Sequence, residues 1–186
     1  MHHFILPTKN TWVSSGSSII TDESFKDQNF GKDQILEIKK EFYNNSFHHQ
    51  TRALVDFSGT DFTNISQSIV DGTIPLPTAA SLSFGAPAGN RSKFYLKLYE
   101  TEGNSKIYEE YKLAVQPISQ SWTEGTGKFG DRPKNTNGCS WENRHNFINA
   151  TAQTWDTNGV DVLSVSQSTF IINDGDSPDV NVEVTN

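Results

Sequence analysis

The residues with chemical potential are carboxylates, histidines and one thiol, and their spacing assembles few of them. Glu100, Glu102, Glu109 and Glu110 gather around one expected hairpin turn. Glycoside hydrolysis needs two carboxylates facing each other across a cleft, about 5–10 Å apart. Charges at a hairpin tip instead form a solvated face. His2-His3 and His48-His49 are adjacent pairs. On a strand, neighbours point to opposite faces, so neither pair chelates one ion. Cys139 is the single cysteine, with no Cys/His pair at zinc spacing. It reads as a small buried residue, and no internal disulfide can form. Asp174, Asp176 and Asp179 make an oxygen-rich stretch that calcium could use. That stretch lacks the full loop pattern and a late Glu, so a polar turn is the plainer reading. Glu124 lies beside Trp122. Its carboxylate is expected to accept backbone N–H bonds and hold a loop in shape rather than act as an acid. The Gly-Lys stretch at 127–128 lacks the ending of a phosphate-binding loop. The sequence therefore offers no catalytic residues, cofactor site or metal site, and the chain reads as a non-enzyme.

The stretch that must be positioned is Ser121–Trp141, SWTEGTGKFGDRPKNTNGCSW, with four glycines between two tryptophans. Its Gly, Asn, Pro and Thr content excludes a helix and predicts a long ordered loop. Trp122 and Trp141 are expected to anchor the loop on a core, with Glu124 between them.

The flanking elements read as strands. Gln34–Tyr43 is ambiguous: Ile35, Ile38 and Phe42 have helical spacing, whereas Leu36, Ile38, Lys40 and Phe42 alternate. Thr51–Phe57 alternates, with Ala53, Val55 and Phe57 on one face and Arg52, Leu54 and Asp56 on the other. One short helix is predicted over Asp61–Ile69, with Asp61 as N-cap. Lys93–Tyr99 is a strand, and Tyr111–Pro117 is its expected hairpin partner across Gly103-Asn104. Val160–Val165, Ser168–Ile172 and Asp179–Thr185 follow as strands.

Several of these marks resemble the DNRLRE family of β-sandwich domains, which takes its name from a disaggregatase-related repeat. They are Ser-Trp-Thr-Glu-Gly at 121–125, Gly138-Cys139-Ser140-Trp141, Asn29-Phe30-Gly31, Arg52–Phe57, Phe94–Leu98 and Asp179–Thr185. The resemblance settles Gln34–Tyr43 as a strand. It implies an all-β fold: an antiparallel, jelly-roll-like β-sandwich with long ordered loops. More narrowly, HHFILPTKNTWVSSGS and DQNFGKDQILEIKKEFYNNSF resemble virion-associated proteins of T4-like phages that infect cyanobacteria. In the sandwich family, the stretch matching Asp179–Thr185 is followed by a tryptophan-bearing turn and a closing strand. The sandwich is accordingly expected to be incomplete at its C-terminal end. Either the natural chain continues past Asn186, or a neighbouring subunit supplies the missing strand.

Residues 1–18 precede the family-like region and are expected to be an N-terminal docking arm, with residues 19–186 as the sandwich. Phe4, Ile5, Leu6, Trp12 and Val13 would then pack on a partner. With 186 residues one domain is the default. A net charge of −7 argues against a nucleic-acid partner. The apolar run at Phe4–Leu6 is too short for a signal peptide, and no run of about 18 apolar residues offers a membrane span. The expected function is a structural component of a tailed-phage virion: a decoration, fibre, neck or tail protein located in the particle. Its partners would be other virion proteins in an oligomeric assembly. The alternative is a glycan-binding module for a host-surface polysaccharide, with Tyr43, Tyr108, Trp155 and Trp12 as candidate stacking rings.

Overall fold

The computed structural model describes residues 3–18, 22–43, 46–74, 93–99, 101, 110–164, 167–173 and 179–184. The fold is all-β with one short helix. Its strands pair antiparallel throughout. The chain divides into two compact units. The first holds Met1–Ser58 and Ile118–Val162; the second holds Gly59–Pro117 and Leu163–Asn186.

In the first unit, β1 (Pro7–Ser14), β2 (Lys40–Tyr43) and β3 (Ser46–Phe57) form a sheet of order β1-β3-β2. β1 runs antiparallel to β3, from Lys9 opposite Asp56 to Ser14 opposite Thr51. Pro7–Ser14 is therefore a strand of this sheet and not part of a separate arm. Thr11, Trp12, Val13 and Ser14 are all buried in succession. Neighbours on a strand face opposite ways, so consecutive burial means that both faces of this half of β1 are covered. Val13 enters one cluster with Leu54, Trp122, Cys139, Trp155 and Val160. Trp12 enters another with Phe25 and Phe30. The apolar side chains expected to wait for a partner are core residues at these two positions. Phe4 and Leu6, ahead of β1, are exposed.

The strand expected over Gln34–Tyr43 pairs only from Lys40. Leu36 packs on the Trp12 cluster, while Ile35 and Ile38 are exposed. Two short strands, β6 (Asn143–His145) and β7 (Gln153–Thr154), pair beside the long loop. Among the described residues of the strand expected over Val160–Val165, the pairing found is an isolated bridge from Val162 to Ile118.

In the second unit, helix α1 spans Gly59–Val70. It starts ahead of the expected cap, so Asp61 sits in the first turn, where a carboxylate favours the positive end of the helix dipole. Gly72, with φ 80°, and a bond from the Thr73 N–H to the Asp71 carboxylate close its far end. The strands here are β4 (Tyr95–Leu98), β5 (Glu110–Val115), β8 (Ser168–Asn173) and β9 (Val180–Glu183). The expected hairpin between 93–99 and 111–117 does not form. β4 pairs with β9, and β5 pairs with β8. The reason is visible in the register. Leu96 lies opposite Val182 and Leu98 opposite Val180, so the apolar sets of β4 and β9 share one face. Likewise Leu113 meets Phe170 and Tyr111 meets Ile172. β9 pairs along β4 in a two-stranded sheet, and its Val180 and Val182 are buried.

Candidate functional site

Asn29 is the hub of the long loop. It is fully buried, and its side-chain amide uses its whole bonding capacity. The Nδ2 group donates to the Glu124 carbonyl at 2.7 Å and the Cys139 carbonyl at 2.8 Å. Its Oδ1 accepts from the Gly127 N–H at 2.8 Å and the Gly31 N–H at 3.1 Å. Its own backbone N–H donates to Asn135 at 2.8 Å. One side chain thus ties both limbs of Ser121–Trp141 to the segment before β2. Two glycines make room for it. Gly125, at φ 84°, would drive a Cβ into the Asn137 carbonyl, and Gly138, at φ 122°, would drive one into Gly125. The sequence marked Asn29-Phe30-Gly31 only as a resemblance. Nothing in an Asn codes for a distant loop, so the hub was not legible there.

Glu124 closes the loop against β1. Its Oε1 accepts the Asn10 N–H at 3.0 Å, and its Oε2 pairs with Lys32 Nζ at 2.6 Å. This is the backbone-accepting role expected of it. Burial pushes the carboxyl pKa up, but the Lys32 and Asn10 hydrogen bonds and the charges of Lys32 and Lys9 outweigh that, leaving it lowered. Lys9 Nζ donates to the Trp122 carbonyl at 2.8 Å and lies 4.4 Å from the ring centroid.

The anchors differ in depth. Trp122 is 5% exposed in the core cluster, and Trp141 packs on that cluster from its margin. The Arg52 guanidinium lies over the Trp141 ring at 5.1 Å and donates to the Gly159 and Val160 carbonyls. Trp155 is 3% exposed, with its indole N–H bonded to the Ser140 carbonyl at 2.9 Å. It cannot stack a sugar, and neither can Trp12 at 4%. Both are corrections to the expected platforms. The Cys139 thiol is fully buried, and burial pushes its pKa up to about 12. It is not a nucleophile in the folded chain. His145 has the Thr123 hydroxyl 2.5 Å from Nδ1 and the Ser121 hydroxyl 3.4 Å from Nε2, and its ring stacks on Phe147. These contacts brace β6 against the loop.

Among the described residues, no group of three or more His, Cys, Asp or Glu side chains could hold a metal ion. Asp174, Asp176 and Tyr108 lie outside the described residues, Asp179 is exposed, and of Tyr43 only the backbone is described. No described helix is long and apolar enough to cross a membrane.

A site that the sequence did not mark lies at Phe129. Trp12 stacks on Phe30 with centroids 3.8 Å apart and planes 10° apart. Phe129 abuts Phe25, Trp12 and Phe30 at 5.6, 6.2 and 6.4 Å, yet it stays 50% exposed. Asp33 sets this geometry. It accepts the Trp12 indole N–H at 3.0 Å and the Phe129 backbone N–H at 3.1 Å. The open pocket beside it has a volume of about 490 Å³, and Lys32, Glu37 and Lys128 are among its walls. Set against known proteins, the chain matches no family model, no curated protein and no solved structure.

Proposed function

We propose that this chain is a structural component of a tailed-phage virion, a decoration, fibre, neck or tail protein that acts by docking on a larger assembly. The observation that carries the reading is the exposure of Phe4 at 78% and Leu6 at 77%, directly ahead of a strand whose far half is buried on both faces. Two large apolar side chains in water beside a fixed sheet offer a partner apolar area to bury. The resemblance of residues 2–17 and 27–47 to virion-associated proteins supports the same reading. So does the loop core, where Asn29, Glu124 and the tryptophans serve shape. Among the described side chains of that core, Glu124, Lys9 and Arg52 are engaged in structural bonds. Mass spectrometry of purified particles tests it. The chain should be present at a fixed ratio to the major capsid protein, and its absence from particles would sink the reading.

A further inference from the structure

His145 sits where the long loop is fastened to β6, and its surroundings favour one charge state. The residues on either side of it make the fastening. The Arg144 carbonyl accepts the Thr123 N–H at 3.1 Å, and the Asn146 carbonyl accepts the Gly138 N–H at 2.7 Å, so both limbs of Ser121–Trp141 are tied at this point. The half-buried imidazole between them reaches back to the first limb, with Thr123 Oγ1 2.5 Å from Nδ1 and Ser121 Oγ 3.4 Å from Nε2. Arg144 gives these bonds a direction. A guanidinium can only donate, and its Nη1 lies 3.4 Å from the same Ser121 oxygen. The Ser121 hydroxyl proton is then turned toward Nε2, which accepts it, and Nδ1 carries the ring's proton toward Thr123. That is a neutral imidazole. A second proton, on Nε2, would make the Ser121 oxygen accept from two cationic groups and set a positive ring beside Arg144. The charges that act on the ring are Arg144 on its own strand and Lys9 on β1, and both are positive. The carboxylates of the neighbouring elements are committed elsewhere: Asp56 of β3 pairs with Lys9, and Glu124 of the loop pairs with Lys32. Among the described residues, His145 enters no ion pair with a carboxylate. Burial first, and then these two cations, hold its pKa below the ordinary 6.5, with the Ser121 backbone acting the other way.

We propose that His145 is an acid-sensitive catch for the Ser121–Trp141 loop: neutral, it fastens the first limb to β6, and protonated at mildly acid pH it loosens that fastening. The released chain takes up the proton as the pH falls through 6.5, whereas the fastened ring resists it until a lower pH. The stabilisation is therefore complete above 6.5 and is lost as the pH falls from there through the folded value. This window lies above the one in which Glu124 titrates, since the ordinary value of that carboxylate is 4.5. The catch is independent of the docking reading, since neither Phe4 nor Leu6 touches the ring.

An NMR titration of the full chain tests it. The His145 ring signals should titrate with a midpoint below 6.5, and the Thr123 and Gly138 amide signals should move with the same midpoint. Arg144→Gln removes the facing cation and should bring that midpoint up toward 6.5. In thermal melts the parent should lose melting temperature between about pH 7 and about pH 5, the range in which histidine titrates, and His145→Gln should lose less over the same range. The titration is read on the parent, so it decides the matter if His145→Gln fails to fold. The proposal is overturned if His145 titrates at or above 6.5, if its midpoint does not rise in Arg144→Gln, if its titration leaves the Thr123 and Gly138 amides unmoved, or if folded His145→Gln loses as much melting temperature as the parent.

Discussion

Asn29 shows how much can rest on one residue. Its amide satisfies four backbone groups at once in a buried site. Removing one partner of a buried hydrogen bond costs about 1–3 kcal/mol, because the other is left without water. Asn29→Ala leaves two carbonyls and two N–H groups in that state. A loss of at least about 3 kcal/mol is expected, read as a fall in the urea midpoint. Asn29→Asp should fare little better, since a carboxylate cannot donate to the Glu124 and Cys139 carbonyls. Glu124 supplies a pH dependence. Its pKa is depressed in the folded chain, so it stabilises the fold above the ordinary carboxylate value of 4.5. That stability is lost as the pH falls through the lower folded value. Glu124→Gln should therefore flatten the acid limb of a melting-temperature profile, and an unchanged limb would refute the role. Cys139 is buried with its pKa at about 12, so a thiol reagent at pH 8 should label it only after denaturant is added.

At the scale of elements, the sequence told strand from loop better than it told which strands pair. The strands expected at Thr51–Phe57, Lys93–Tyr99, Tyr111–Pro117 and Asp179–Thr185 each overlap a strand of the structure. Alternation also placed Arg52 and Leu54 on one face, and both reach the long loop, Arg52 at Trp141 and Leu54 in the Trp122 cluster. Pairing was not legible, because a period of two is the same on every strand. The short turn at Gly103-Asn104 favoured a local hairpin, whereas the match of Leu96 and Leu98 to Val182 and Val180 is non-local. Cross-strand NMR contacts should therefore join Leu96 to Val182, and contacts from β4 to β5 in hairpin register would contradict the fold. The loop anchors were legible because a tryptophan in a glycine-rich loop has few other uses. Trp122→Ala should cost roughly 3–5 kcal/mol, measured by denaturant unfolding. Phe129 escaped notice because nothing in its neighbours, Lys128 and Gly130, signals a ring held by Trp12 and Phe25 from a distant part of the chain.

For the whole molecule, the consequential difference lies in what residues 1–18 do. Read from sequence, they form a docking arm that lies outside the sandwich and packs on a partner. In the structure, Pro7–Ser14 is the edge of the first unit's sheet, and its two faces serve two core clusters through Trp12 and Val13. Deleting 1–18 would uncover Leu54 and Phe30 and release Glu124 from the Asn10 N–H. The first unit should then lose its cooperative melt, and lost assembly in that variant would say nothing about docking. The informative change is smaller. Phe4→Ser with Leu6→Ser alters two exposed side chains ahead of β1, where substitutions typically shift stability by no more than about 0.5 kcal/mol. If these residues dock the chain, the double variant should melt like the parent and fail to enter particles when the two compete during assembly. Incorporation at the parent's ratio would place the docking surface elsewhere, while leaving the folding role of β1 intact.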